Sequence, residues 1–147
     1  MNIALIAPNE KKELLLQFCI AYRKILSKHN IVATANIGNS IAKEANLQIE
    51  LLQSINAGGA DQIAARIEYN EIDLVFYFRN TIQRVETHRV GSIYNEFSDN
   101  SDSDVIIGMC DKNNIPLATN IATAEVLVMG LDRGDLDWRK YVSRQRK

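Results

Sequence analysis

The chain has 147 residues, the size of one domain, and is 46% hydrophobic and 24% charged, which excludes a disordered or collagen-like chain. Its 17 basic and 18 acidic residues leave a net charge of −1, so the basic stripe of a protein that binds a nucleic-acid polymer is missing. Two cysteines, Cys19 and Cys110, are too few for a disulfide framework and lack metal-ligand spacing. No apolar run approaches the 18 residues of a membrane span, and no export signal is evident. A cytoplasmic protein with buried thiols and no membrane partner is expected.

In chain order, Asn2 to Ala7 is an unbroken apolar run, the pattern of a strand buried on both faces of a parallel sheet. Asn9 predicts an N-cap for a helix from Glu10 to His29, whose Leu14, Leu15, Phe18, Tyr22, Ile25 and Leu26 recur at helical spacing. His29 then reads as a helix C-terminal residue favoured by the dipole. Ile31 to Thr34 is a second strand, followed by Gly38 and a weak helix near Ser40 to Ala45. Leu47 to Leu52 is a third strand, and Gly58-Gly59 opens a helix to Tyr69. Ile72 to Phe78 is the strongest strand signal; Pro116 to Thr119 is a fifth, before a helix from Ala122 to Met129.

This alternation predicts a single-domain α/β three-layer sandwich with a mainly parallel sheet over 1–147. Residues 79–104 interrupt it: they are polar, aperiodic and rich in Ser, Asp and Asn from Ser98 to Asp104. A loop of that length is expected to be functional, and a lid that buries Ile93, Tyr94 and Phe97 is the reading. Arg144 to Lys147 reads as a solvated basic tail.

Ligands of open parallel sheets bind beyond the carboxyl ends of the strands. That edge would collect Lys12, then Thr34, Asn36 and Gly38, then Ser54, Asn56, Gly58 and Gly59, and finally Arg79 and Asn80. One cation, several hydroxyl and amide donors and two helix N-termini describe an anion site. Arg89 could neutralise a second phosphate, and His88 lies beside it.

The sequence resembles the methylglyoxal synthase family through Ile3 to Ala7, Ala21 to Leu26, Leu47 to Ile49, Gln53-Ser54, Gly58-Gly59, Ile72 to Val75 and Ile115 to Asn120. The resemblance implies a small homohexameric lyase that converts dihydroxyacetone phosphate to methylglyoxal and phosphate, with neither cofactor nor metal. It also exposes departures. The family's His-Asp pair is Pro8-Asn9 here, with Lys12 kept, and its Thr-Gly-Thr-Thr-Gly phosphate loop is Thr34-Ala35-Asn36-Ile37-Gly38. Its Asp-Pro pair is Asn80-Thr81, and its catalytic His aligns with Thr87, next to His88. Its catalytic Asp, last in Ser-Gly-Pro-x-Gly-Gly-Asp, aligns without gaps with Ala60. Asp61 is adjacent, but one helical step turns it by about 100°. Removing a carbon-bound proton needs a carboxylate in reach, which alanine does not supply. The expectation is therefore a non-catalytic protein that senses or sequesters a small phosphorylated or nucleotide ligand. The alternative is an active methylglyoxal synthase with Asp61 as base and His88 as acid.

Overall fold

Unbroken apolar runs become inner strands because both of their faces must be covered. In the computed structural model, which describes residues 1–80 and 101–145 (the side chains of 101–104 and 143–145 excepted), one sheet is formed by five strands. They are β1 (Asn2–Ile6), β2 (Asn30–Thr34), β3 (Ile49–Leu52), β4 (Leu74–Tyr77) and β5 (Leu117–Ala118), in the order β3-β2-β1-β4-β5. Every pair is parallel, with Ile3 beside both Ile31 and Leu74, and Thr34 beside Leu52.

The helices are α1 (Lys12–Ala21), α2 (Arg23–Leu26), α3 (Ala35–Glu44), α4 (Gly59–Glu68), α5 (Ser101–Asn113), α6 (Ile121–Arg133) and α7 (Arg139–Gln145). Leu15, Phe18 and Cys19 of α1, Ile37 and Ile41 of α3, and Val128 of α6 pack on the face of Ile3, Leu5 and Phe76. Ala60, Ile63 and Ile67 of α4, with Ile106 and Cys110 of α5, cover the opposite face at Ala4, Ile6 and Val75. Each large aliphatic or aromatic side chain so buried contributes about 1.5–3 kcal/mol, which makes these two layers the main source of stability. The expected α/β three-layer sandwich is present, and its sheet is wholly parallel. No helix among the described residues is long and apolar enough to cross a membrane.

The local expectations need correction at several points. The helix read from Glu10 to His29 is a 3-10 turn (Asn9–Lys11), then α1, then α2. It breaks at Tyr22 (φ −106°, ψ 21°), whose ring stays against Phe18 at 5.0 Å while its backbone leaves helical geometry. Asn9 does not act as an N-cap, because its side-chain oxygen accepts from Asn36 instead. Helix α3 starts at Ala35, five residues before the expected start, because Gly38 fits inside it as a packing point rather than a break. Helices α5 and α7 were not anticipated; α5 begins inside the segment read as unstructured, and α7 runs into the expected basic tail.

His29 also departs from its reading, since α2 ends at Leu26 and the ring lies beyond it. Its Nδ1 is 3.2 Å from the Met1 amino nitrogen. Burial, and then the charges of that amino group, Lys140 and Lys28, push its pKa below the ordinary histidine value; Asp132 acts in the opposite sense. At the same end of the sheet, the buried Arg139 of α7 donates to Asn114 O at 2.6 Å and lies 3.5 Å from Asp73 Oδ1. Asp73 Oδ2 accepts from Asn2 N at 2.9 Å, so α7 is tied to the starts of β1 and β4.

Candidate functional site

The direction of chain progress reverses between β1 and β4, and the carboxyl edge at such a switch point is left open by diverging loops. Residues Ala7 to Asn9 leave β1 there, Thr34 to Asn36 leave β2, Gln53 to Gly59 leave β3, Phe78 to Asn80 leave β4, and Thr119-Asn120 leave β5. Lys12 is the first residue of α1 and is half-buried.

Thr34 anchors the edge. It ends β2, precedes α3 with extended geometry (φ −68°, ψ 144°) and is 0% exposed. Its hydroxyl neither caps α3 nor has a hydrogen-bond partner among the described residues. A Cβ on Gly59 would lie 2.9 Å from Thr34 Cγ2, so it is the methyl that meets α4. The first turn of α3 carries no acidic residue, and its leading N–H groups have no intrahelical acceptor, so a buried hydroxyl and a positive helix end coincide.

Asn36, in that first turn, links two loops. Its Nδ2 donates to Ala7 O at 3.0 Å and to Asn9 Oδ1 at 3.3 Å, while its Oδ1 is buried without a partner among the described residues. The sequence pattern missed this link. Its signal was the presence of two asparagines just beyond neighbouring parallel strands.

The other expected residues are placed as follows. Gly38 lies within α3, where a Cβ would overlap Leu51 Cδ2 and come within 3.2 Å of Ala33 Cβ, so its smallness serves helix–sheet packing. Ser54 precedes the 3-10 turn Ile55–Ala57, and its carbonyl accepts from Ala57 N at 3.0 Å and Gly59 N at 2.9 Å. The Gly59 amide is thus committed within the loop. Gly58 has φ 98°, a left-handed conformation suited to glycine. Asn56 and Asn80 are exposed, and Arg79 is half-buried with its N–H 3.5 Å from Thr119 O. Ala60 is buried among the α4 core residues, and Asp61 is exposed in the first turn of α4. His88, Arg89 and most of the expected lid, 79–104, lie outside the described residues. Among the described residues, no three His, Cys, Asp or Glu side chains gather as a metal site.

A groove of about 940 Å³ opens at the opposite, amino-terminal end of the sheet, lined among others by Asn2, His29, Asn30, Glu50 and Arg66. Several of its polar groups have partners: Arg66 with Glu50, Asn30 with Asn2, and Asn2 with Glu71 O. At the carboxyl edge, Thr34 Oγ1 and Asn36 Oδ1 are buried without partners among the described residues, as are both side-chain polar atoms of Asn70 beyond α4.

No family model matches the chain. Individual relatives do. It is 44% identical over 143 residues to a methylglyoxal synthase of Caldicellulosiruptor saccharolyticus, covering 97% of this chain and 93% of that one. It is 42% identical over 142 residues to the methylglyoxal synthase of Alkaliphilus metalliredigens, covering 97% of each. A crystal structure of methylglyoxal synthase from Elizabethkingia anophelis NUHP1 superimposes with a TM-score of 0.67 at 26% identity, covering 86% of this chain and 76% of that one.

These relatives overturn the expectation of a non-catalytic protein that senses or sequesters its ligand, and the leaning against an enzyme falls with it. The reading rested on several replaced positions, Pro8-Asn9, Ala60 and Asn80 among them, and the relatives' near full-length likeness outweighs them.

Proposed function

The chain belongs to the methylglyoxal synthase family, and from that premise we propose that it converts dihydroxyacetone phosphate to methylglyoxal and inorganic phosphate. The observation that carries the proposal is the 44% identity to a methylglyoxal synthase over 97% of the chain. The carboxyl edge supports it. Lys12, Thr34, Ser54 and the leading N–H groups of α3 supply the cation and donors that a phosphate requires. Asn56, Gly58, Gly59, Arg79 and Asn80 belong to the loops around them, and Arg89 is the candidate second cation.

In this reading the Asp61 carboxylate takes a proton from the hydroxyl-bearing carbon of the substrate, and His88 supplies a proton to the carbonyl oxygen. The enediol's terminal hydroxyl gives up its proton as its electrons expel phosphate through the breaking C–O bond, the proton leaves with the phosphate, and the 2-hydroxypropenal left behind ketonises to methylglyoxal. Atoms and electrons balance without an oxidant or cofactor. The same reading includes a homo-oligomer, for which the resemblance implies a hexamer. Exposed Leu14 and Ile20 on α1 and Val126 and Met129 on α6 support assembly. A cytoplasmic setting is supported by Cys19 and Cys110, whose thiols are pushed up to about 12 by burial and are therefore unreactive.

The test is turnover of dihydroxyacetone phosphate, followed through both products. Asp61→Asn should lower kcat by at least about 100-fold, the usual worth of a general base. Full activity in that variant would move the base elsewhere, and no turnover by the unaltered chain would overturn the proposal.

A further inference from the structure

One residue closes the loop between β3 and α4 at both ends. Gln62, in the first turn of α4, donates its backbone N–H to Gly58 O at 3.2 Å, which begins the helix. Its side-chain Oε1 accepts from Gln53 N at 2.8 Å, nine residues back and directly after β3. A backbone N–H only donates, so it is the oxygen of the carboxamide that faces it. Ser54, Asn56 and Gly58 lie between these two bonds, and Asp61 precedes Gln62 in the chain.

The remaining ties are close to one another. Gly59 N donates to Ser54 O at 2.9 Å, and a Cβ on Gly59 would overlap Gln53 O. A contact at a single glycine is a pivot. The Gln62 side chain adds a second point of attachment, one step beyond Asp61, and stops the helix turning about that pivot. Side-chain groups stand about 5–6 Å from a helix axis, so a turn of about 10° moves them by about 1 Å. A misplacement of that size at a reacting group costs up to about 100-fold in rate. Both glutamines are exposed, so their bond adds little to global stability, and what it supplies is geometry.

We propose that Gln62 is a positioning residue: by accepting the Gln53 N–H it fixes the rotation of the first turn of α4, and with it the place of Asp61 relative to the loop of Ser54 and Gly58. The inference rests on the proposed function, in which Asp61 is the base. Gln62 acts through Asp61 and does not itself touch the substrate.

The experiment measures steady-state turnover of dihydroxyacetone phosphate on the full chain, with rates taken per folded protein from circular dichroism. Gln62→Leu keeps the bulk and removes the acceptor. It should lower kcat by about 10-fold with KM within about 2-fold, because the Gly59 contact still limits the movement. Gln62→Glu keeps an acceptor oxygen at the same reach and should hold kcat within about 3-fold of the unaltered chain, its added charge acting on KM. In an Asp61→Asn background, Gln62→Leu should lower kcat by no more than about 2-fold, since no base is left to position. A purely structural role would give the same further loss in both backgrounds. Should Gln62→Leu not fold, Gln62→Ala carries the same expectations. Unchanged kcat in Gln62→Leu, an equal loss in Gln62→Glu, or the same loss with and without Asp61 would overturn the inference and leave the proposed function standing. No turnover by the unaltered chain would overturn the proposed function, and this inference with it.

Discussion

Lys12 stands at the start of α1, half-buried, just beyond the carboxyl end of β1. A charge-assisted hydrogen bond to a phosphate is worth about 1.5–3 kcal/mol, so Lys12→Ala should lower kcat/KM for dihydroxyacetone phosphate by about 10- to 100-fold. The melting temperature should barely change, because no buried partner is orphaned. Steady-state kinetics beside a thermal melt checks both halves; unchanged kcat/KM would place the phosphate elsewhere. At this scale the sequence identified residue types but not donor and acceptor states. Thr34 and Asn36 were both legible as polar residues beyond a strand. That Asn36 directs its nitrogen to Ala7 and its oxygen away depends on a contact 29 residues distant, which no local pattern encodes.

Two glycines show how elements meet at the edge. At Gly59, a Cβ would overlap the backbone oxygen of Gln53 and come within 3.0 Å of Ser54 O, with Thr34 Cγ2 also in contact. Backbone cannot swing aside, so Gly59→Ala should cost about 1–3 kcal/mol, read from denaturant midpoints, and lower activity by displacing Thr34. At Gly38, the overlapping atom is the end of Leu51, a side chain 45% exposed and free to turn, and Ala33 Cβ must yield only slightly. Alanine is the better helix former by about 1 kcal/mol, so Gly38→Ala should leave stability unchanged or slightly raised. Equal losses in both variants would show that strain at Gly38 is not relieved by Leu51. The five strands were legible because their apolar runs are distinctive. The early start of α3 was not, because a glycine in sequence does not say whether it breaks a helix or brings it close to a sheet.

For the molecule as a whole, the amino-terminal end of the sheet carries structural charge, while the carboxyl end carries the candidate chemistry. His29, held below the ordinary histidine pKa in the folded chain, regains that ordinary value on unfolding, so the unfolded state binds the proton more readily. Its contribution to stability is therefore present above the unfolded value of about 6.5 and is lost as pH falls through the lower folded value. Melts at pH 7.5 and pH 5 should show a loss on acidification that shrinks in His29→Gln. A variant with an unchanged loss would mean that other groups set the dependence. The dipole reading of His29 predicted the opposite sign, and it failed because burial, and then the Met1 amino group and Lys140, reach the ring only through tertiary structure.

The α/β class and the parallel sheet could be read from sequence, because strands buried on two faces need apolar runs such as Ile3 to Ala7 and Leu74 to Phe78, alternating with helical stretches. The sequence also carried the family likeness through Lys12, Gln53-Ser54 and Gly58-Gly59. Tertiary structure alone decided which polar groups are left unsatisfied. The Ser54 carbonyl takes up the Gly59 amide, and Gly38 is absorbed into packing, whereas among the described residues the Thr34 hydroxyl and the Asn36 oxygen have no partner. Hydrogen-bond satisfaction is a property of neighbours brought together by the fold, and spacing along one chain cannot count it.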